Sequence, residues 1–221
     1  MNRLLILMPA VALLGACSVL PEAQAAREAP VKRSTMVFNP RPETRQCLAQ
    51  LGSAKASFTP LPDQYYGAGC SAVGTVKLAS LRSDRRDLAL SNLGPVTCPL
   101  AETFAGWARF GVDRAAQQIL GSALVRIETM GSYNCRNVAG TGRRSGHATA
   151  SAIDVSGFVL ADGRRLTVSN DWNRNSPEVK RFFQTIHSSA CKRFGMVLGP
   201  AYNAAHKDHL HLEMAARPMC R

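Results

Sequence analysis

Six cysteines, Cys47, Cys70, Cys98, Cys135, Cys191 and Cys220, follow a leader-like N-terminus, and they constrain this chain more than any other feature. Met1 to Ala16 carries one charge at Arg3, an apolar run from Leu4 to Leu14, and the small residues Gly15 and Ala16, which is the pattern of a signal peptide. The run is too short to cross roughly 30 Å of hydrocarbon, and no other stretch approaches the ~20 apolar residues needed. An even number of cysteines in a chain sent out of the reducing cytoplasm predicts three disulfides. Sequence does not choose among the possible connectivities; pairing of sequence neighbours is the expectation, Cys47 with Cys70, Cys98 with Cys135 and Cys191 with Cys220. No C-x-x-C pair is present, so neither a zinc ribbon nor a thioredoxin-type site is expected.

Leu14-Gly15-Ala16-Cys17 resembles a bacterial lipobox, which implies cleavage before Cys17 and lipid on its thiol and new amino group. Ser18, not aspartate, follows it, and by resemblance to sorted lipoproteins this points to the outer membrane, facing the periplasm. Residues 18–42, rich in Ala, Pro, Glu and Arg without an apolar period, read as a linker. The expected organisation is a signal peptide (1–16), a lipidated cysteine and linker (17–42) and one domain (43–221), with a disulfide-stapled N-terminal lobe (43–90) on a catalytic core (91–221).

Lys and Arg number 27 against 15 Asp and Glu, a net charge of +12. Such a balance calls for an anionic partner, and in a cytoplasmic chain nucleic acid is the first candidate. The leader and cysteines place this chain where the polyanions are peptidoglycan, lipopolysaccharide and lipid headgroups, so nucleic acid is excluded as a partner and a monomer is expected.

Apolar spacing predicts a helix over 100–120, with Pro99 at its start, and a second from about Pro177 to Phe194, stopping near Gly195. His187 lies mid-helix and reads as a packing residue. Strands are expected over Leu124–Met130, Ala152–Leu160 and His209–Met214, with turns at Gly131-Ser132 and Asp162-Gly163.

Four of the five histidines fall in two short segments, His147 in Ser145-Gly-His-Ala-Thr-Ala-Ser-Ala-Ile-Asp154, and His206-Lys-Asp-His209-Leu-His211. In a strand starting at His209, residues two apart share a face, so His209 and His211 project together while Leu210 and Leu212 enter the core. Two imidazoles and a carboxylate, with a fourth position for water, are the donors of a catalytic zinc site, and a metal hydrolase follows.

These residues resemble the zinc peptidases that include the D-Ala-D-Ala carboxypeptidases and dipeptidases and the penicillin-insensitive murein endopeptidases, whose signature is roughly Ser-x-His-x-x-Gly-x-Ala-x-Asp followed by a later ligand histidine. Ser145, His147, Ala152 and Asp154 match it in register, Ala150 stands where the glycine usually is, and His206-x-Asp208-His209-x-His211 resembles the end motif of the murein endopeptidase branch. From about Cys47 to Cys220 the chain also resembles bacterial proteins with an extensin-like C-terminal domain, through Gly-Ser-Tyr-Asn-Cys-Arg136, His-Ala-Thr-Ala-Ser-Ala-Ile-Asp154, Leu198-Gly-Pro-Ala-Tyr-Asn203 and His-Leu-His-Leu-Glu213.

The resemblance implies a small α+β fold around a central antiparallel sheet flanked by helices, with His147, Asp154 and His211 as zinc ligands. In the carboxypeptidase branch a glutamate three residues before the last ligand moves the proton; Asp208 holds that place, and either Asp208 or His209 can serve. His209 is favoured because the strand puts it on the ligands' face, which leaves Asp208 to orient an imidazole and His206 to hold substrate or an oxyanion. Arg136, Arg143 and Arg144 flank the first ligand segment, as a carboxylate clamp or as a solvated loop. Tyr133 and Tyr202 line the cleft or pack, and Glu213 reads as a supporting residue. The expected activity is cleavage of an amide bond in peptidoglycan, endopeptidase before carboxypeptidase. The alternative is a non-catalytic, basic cell-wall-binding lipoprotein, while an envelope nuclease is disfavoured for want of further carboxylates around the metal.

Overall fold

The computed structural model describes residues 40–221; the expected signal peptide, the lipid-bearing Cys17 and the linker up to residue 39 lie outside the described residues. Helix α1 (Pro42–Ser53) opens with proline in its first turn, where the missing N–H costs nothing. Strands β1 (Ser57–Pro60), β2 (Gln64–Gly67), β3 (Cys70–Ala72), β4 (Thr75–Arg82), β5 (Asp87–Ser91) and β6 (Val96–Thr97) follow, the first three short because Pro and Gly punctuate the segment before β4. Helices α2 (Cys98–Gly106) and α3 (Arg114–Leu120) flank a π-helical stretch, Trp107–Asp113, so the expected 100–120 helix is one rod with a widened middle. Then come β7 (Leu124–Gly131), β8 (Ala152–Leu160), β9 (Arg165–Thr167), the one-turn α4 (Val168–Asp171), α5 (Pro177–Cys191), β10 (Met196–Leu198), β11 (Leu210–Glu213) and β12 (Met219–Cys220).

The fold is α+β, but its sheet is larger than expected and mixed, in the order β1-β4-β5-β7-β8-β11-β10-β12, with β6 on β4 and β9 on β8. Parallel pairing enters at β5–β7 and β10–β12. The physical reason is connection length: the helical rod carries the chain from the end of β5 back to the start of β7, which a hairpin cannot do. Strands β1, β4 and β5, from the segment 43–90 expected as an N-terminal lobe, pair into this same sheet. The two strands β2 and β3 pair only with each other. No helix among the described residues is long and apolar enough to cross a membrane.

Aromatic side chains fill the space between rod, α5 and sheet. Phe158 of β8 meets Trp107, Phe182 and Phe183 edge-on at 5.6–6.2 Å between ring centres. All four rings are buried, and the Trp107 indole donates to the Ile186 carbonyl at 3.0 Å, which satisfies the one polar atom the cluster encloses.

Cys191 pairs with Cys220 as expected, but Cys47 joins Cys98 and Cys70 joins Cys135 in place of the expected neighbours. Pairing follows packing rather than sequence order: α1 lies against α2, where Cys98 begins, and β3 lies beside the turn that precedes β8, near Cys135. Truncation of Phe158 to alanine is expected to cost about 3–5 kcal/mol. The measurement is the urea midpoint of the oxidised chain, which should fall with unchanged slope.

Candidate metal centre

Asp154 and His211 are directly opposed residues of β8 and β11, so their side chains leave the sheet on one face. Leu210 and Leu212 point the other way and are fully buried. The third side chain comes from a 3₁₀ turn, Gly146–Thr149, leading into β8, which Ser145 caps by accepting the His147 N–H at 3.4 Å. Ala150 closes this turn at φ 54°, in the left-handed region that glycine adopts without strain. An L-residue pays about 1–2 kcal/mol there. Burying a methyl group returns roughly 0.8 kcal/mol, and the buried Ala150 avoids glycine's entropy loss of about 0.5–1 kcal/mol, so alanine fits at little net cost.

His147 Nε2 lies 3.2 Å from both Asp154 Oδ2 and His211 Nδ1, and His211 Nδ1 lies 2.9 Å from Asp154 Oδ1. The far side of each ring decides its tautomer. His147 Nδ1 meets the Ser132 carbonyl at 2.7 Å and His211 Nε2 meets Glu213 Oε2 at 2.9 Å, and a carbonyl or carboxylate oxygen only accepts. Both N–H groups are thus committed outward, and the inner nitrogens turn lone pairs toward the Asp154 carboxylate. Gly146 permits this: a Cβ there would lie 2.7 Å from each carboxylate oxygen of Glu213 and displace it from His211.

Three Lewis bases facing one another need a cation between them. In its absence a proton takes that place. Burial opposes charge on His211, but the hydrogen bonds and charges of Asp154 and Glu213 outweigh it and raise its pKa to about 9. Burial likewise opposes the Asp154 charge, and the imidazoles of His147 and His211 overcome it, holding the carboxyl well below the usual range. Two nitrogens and one carboxylate oxygen, all within 4.8 Å of one another, fit a divalent ion, and zinc takes this donor set. The centre opens on a cleft of about 390 Å³ that reaches His206, His209, His211 and Glu213.

His209 precedes β11 by one residue and still faces the centre, its Nε2 3.6 Å from Asp154 Oδ1. Its Nδ1 meets Asp208 Oδ1 at 2.9 Å, so Asp208 holds His209, and the imidazoles of His147 and His211 are oriented instead by Ser132 and Glu213. His206 Nδ1 donates to Asn203 Oδ1 at 2.7 Å; that oxygen also accepts the Ala205 N–H, which fixes the amide's orientation. Burial, then the charges of His209 and His211, push His206 down to about 4.

All six residues expected at the site are brought together. Arg136, Arg143 and Arg144 all line the cleft, and Arg144 is also held by donating to the Ala68 carbonyl at 2.6 Å and to Asn137 at 2.8 Å. Tyr202 lies against His206, 5.4 Å between ring centres, and Tyr133 against Tyr66 at 5.1 Å. His187 packs edge-on to Trp172, outside the centre. Ser132 acts through its backbone carbonyl, for which no residue type is diagnostic, and Asn203, in the Leu198–Asn203 block, acts through a side-chain amide that no spacing ties to His206.

Residues 45–221 match the family model described as Extensin-like protein C-terminus. No curated protein and no solved structure matches the chain.

Because the His211 pKa is raised, its proton is retained below about pH 9 and must leave when a metal binds. Zinc affinity should therefore rise about tenfold per pH unit between about pH 6.5 and 8.5, with one proton released per ion. Calorimetry in buffers of different ionisation enthalpy checks both, and a flat affinity over that range contradicts the coupling.

Proposed function

We propose that this chain, which belongs to the Extensin-like protein C-terminus family, is a zinc-dependent hydrolase of amide bonds in the stem peptides or cross-bridges of peptidoglycan, acting as an endopeptidase. The observation that carries this is the convergence of three metal donors beside a cleft on which two further histidines open. A structural zinc is enclosed by four protein ligands, whereas a catalytic one keeps a position for substrate or water. Zinc held by His147, Asp154 and His211 supplies the Lewis acidity that amide hydrolysis requires.

The remaining roles follow from which nitrogen carries a proton. Asp208 accepts the His209 Nδ1–H, so His209 Nε2 holds a lone pair on the Asp154 side of the cleft. There it takes a proton from the attacking water and passes it to the departing nitrogen, and Asp208 steadies the imidazolium formed in between. His206, neutral near pH 7 and with its Nδ1–H committed to Asn203, presents an acceptor at Nε2. It suits a substrate N–H rather than an oxyanion. Arg136 and Arg143 offer guanidinium groups to substrate carboxylates. The leader, the lipobox-like Leu14–Cys17 and the charge of +12 support a lipid-anchored protein facing the periplasm, with peptidoglycan as its polyanionic partner.

Digestion of cross-linked peptidoglycan by the zinc-loaded, oxidised chain tests this, with released muropeptides read by mass. Conversion of cross-linked dimers to monomers is expected, abolished by chelator and in His211→Ala. The His209→Ala variant should keep its zinc and lose about 10²–10⁴-fold in kcat. Loss of a single terminal alanine would make the enzyme a carboxypeptidase. Absence of any product would overturn hydrolysis in favour of a cell-wall-binding lipoprotein.

A further inference from the structure

Away from the cleft floor, His187, Cys191 and Cys220 bring a nitrogen and two sulfurs within 4.8 Å of one another. His187 and Cys191 are four residues apart on α5 and share one face of the helix. The His187 Nε2 lies 3.3 Å from the main-chain oxygen of Arg221, which only accepts, so Nε2 carries the hydrogen and Nδ1 the lone pair. That lone pair is on the sulfur side, with Nδ1 4.0 Å from Cys191 Sγ. Packing alone explains the ring's contact with Trp172 but not the aiming of an unprotonated nitrogen at a disulfide.

We propose that these three residues form a second, thiol-gated metal site: once a dithiol opens the Cys191–Cys220 bond, both sulfurs and His187 Nδ1 hold one soft divalent cation of the zinc class. The dithiol gives two electrons and two protons to the sulfur–sulfur bond and leaves as its own disulfide. Both protons then depart as the cation takes the two thiolates. Tetrahedral zinc with sulfurs at about 2.3 Å separates them by about 3.8 Å. Side-chain rotation reaches that spacing across the Cα separation of 5.7 Å.

Access permits opening of this pair. Cys220 is exposed and Cys191 half-buried, so neither end of the bond is enclosed, whereas Cys47 and Cys98 are both buried and the exposed Cys135 is bonded to a buried Cys70. The site also has a structural consequence. Cys220 ends β12, which pairs with β10, and Met219 lines the cleft with Met196 and Leu198. A cation that replaces the covalent link keeps this strand, and with it the cleft wall, in place after reduction. None of this depends on the metal assigned to His147, Asp154 and His211.

Cobalt substitution tests the site in the full chain, because thiolate coordination gives an intense near-ultraviolet charge-transfer band that nitrogen and oxygen ligands do not. The chain is opened by limited dithiol treatment, desalted without oxygen and titrated with cobalt. One thiolate-ligated cobalt is expected after reduction, none in the oxidised chain and none in Cys191→Ser/Cys220→Ser; Cys17 is common to all samples. His187→Ala, with thiols free and near-ultraviolet circular dichroism unchanged, should bind at least tenfold more weakly, and His187→Gln serves if alanine loosens the helix. The proposal is overturned if no band appears once both thiols are shown to be free, if the band persists in the double variant, or if loss of His187 leaves affinity unchanged.

Discussion

The register of β8 against β11 is the constraint on which the rest depends. It sets Asp154 opposite His211, and because the side-chain period of a strand is two, a slip by one residue would drive Asp154 into the aromatic core and Leu210 and Leu212 into the cleft. Phe158, four residues along β8 from Asp154, anchors that strand among Trp107, Phe182 and Phe183. Core packing therefore holds the centre in register, and the three candidate donors are preorganised by burial that has nothing to do with metal.

Around that register the local chemistry is arranged to leave lone pairs inward. Ser132 and Glu213 take the outer N–H groups of His147 and His211, and Gly146 gives Glu213 the room to do so. Asp208 and Asn203 do the same for His209 and His206, which face the cleft. The outer N–H of each imidazole is thus committed, and Asp154 and Glu213 outweigh burial to raise the His211 pKa to about 9, so that its inner nitrogen holds a proton until a cation displaces it.

Much of this was legible in the sequence. Strand periodicity placed Leu210 and Leu212 in the core with His209 and His211 on the other face, and it bounded β8 at Ala152–Leu160. The clustered histidines located the site, and the Ser-x-His spacing corresponds to a capped turn. What was not legible depends on packing between distant segments. The disulfides Cys47–Cys98 and Cys70–Cys135 follow α1 against α2 and β3 against the turn before β8, contacts that spacing along the chain does not encode. The parallel step between β5 and β7 reflects the helical rod that intervenes, and the orienting role of Ser132 belongs to its backbone. Asp208 was expected to orient a ligand ring, but it lies one residue from His209 and bonds to that ring instead.

The central claim is that His147, Asp154 and His211 hold one zinc ion by nitrogen and oxygen alone. X-ray absorption at the zinc edge, on the oxidised full chain loaded with one equivalent, tests it directly. The expected result is a shell of nitrogen and oxygen at about 2.0–2.2 Å with imidazole scattering from two histidines, falling to one in His147→Ala. A sulfur shell near 2.3 Å, or a spectrum unchanged by that substitution, would contradict it.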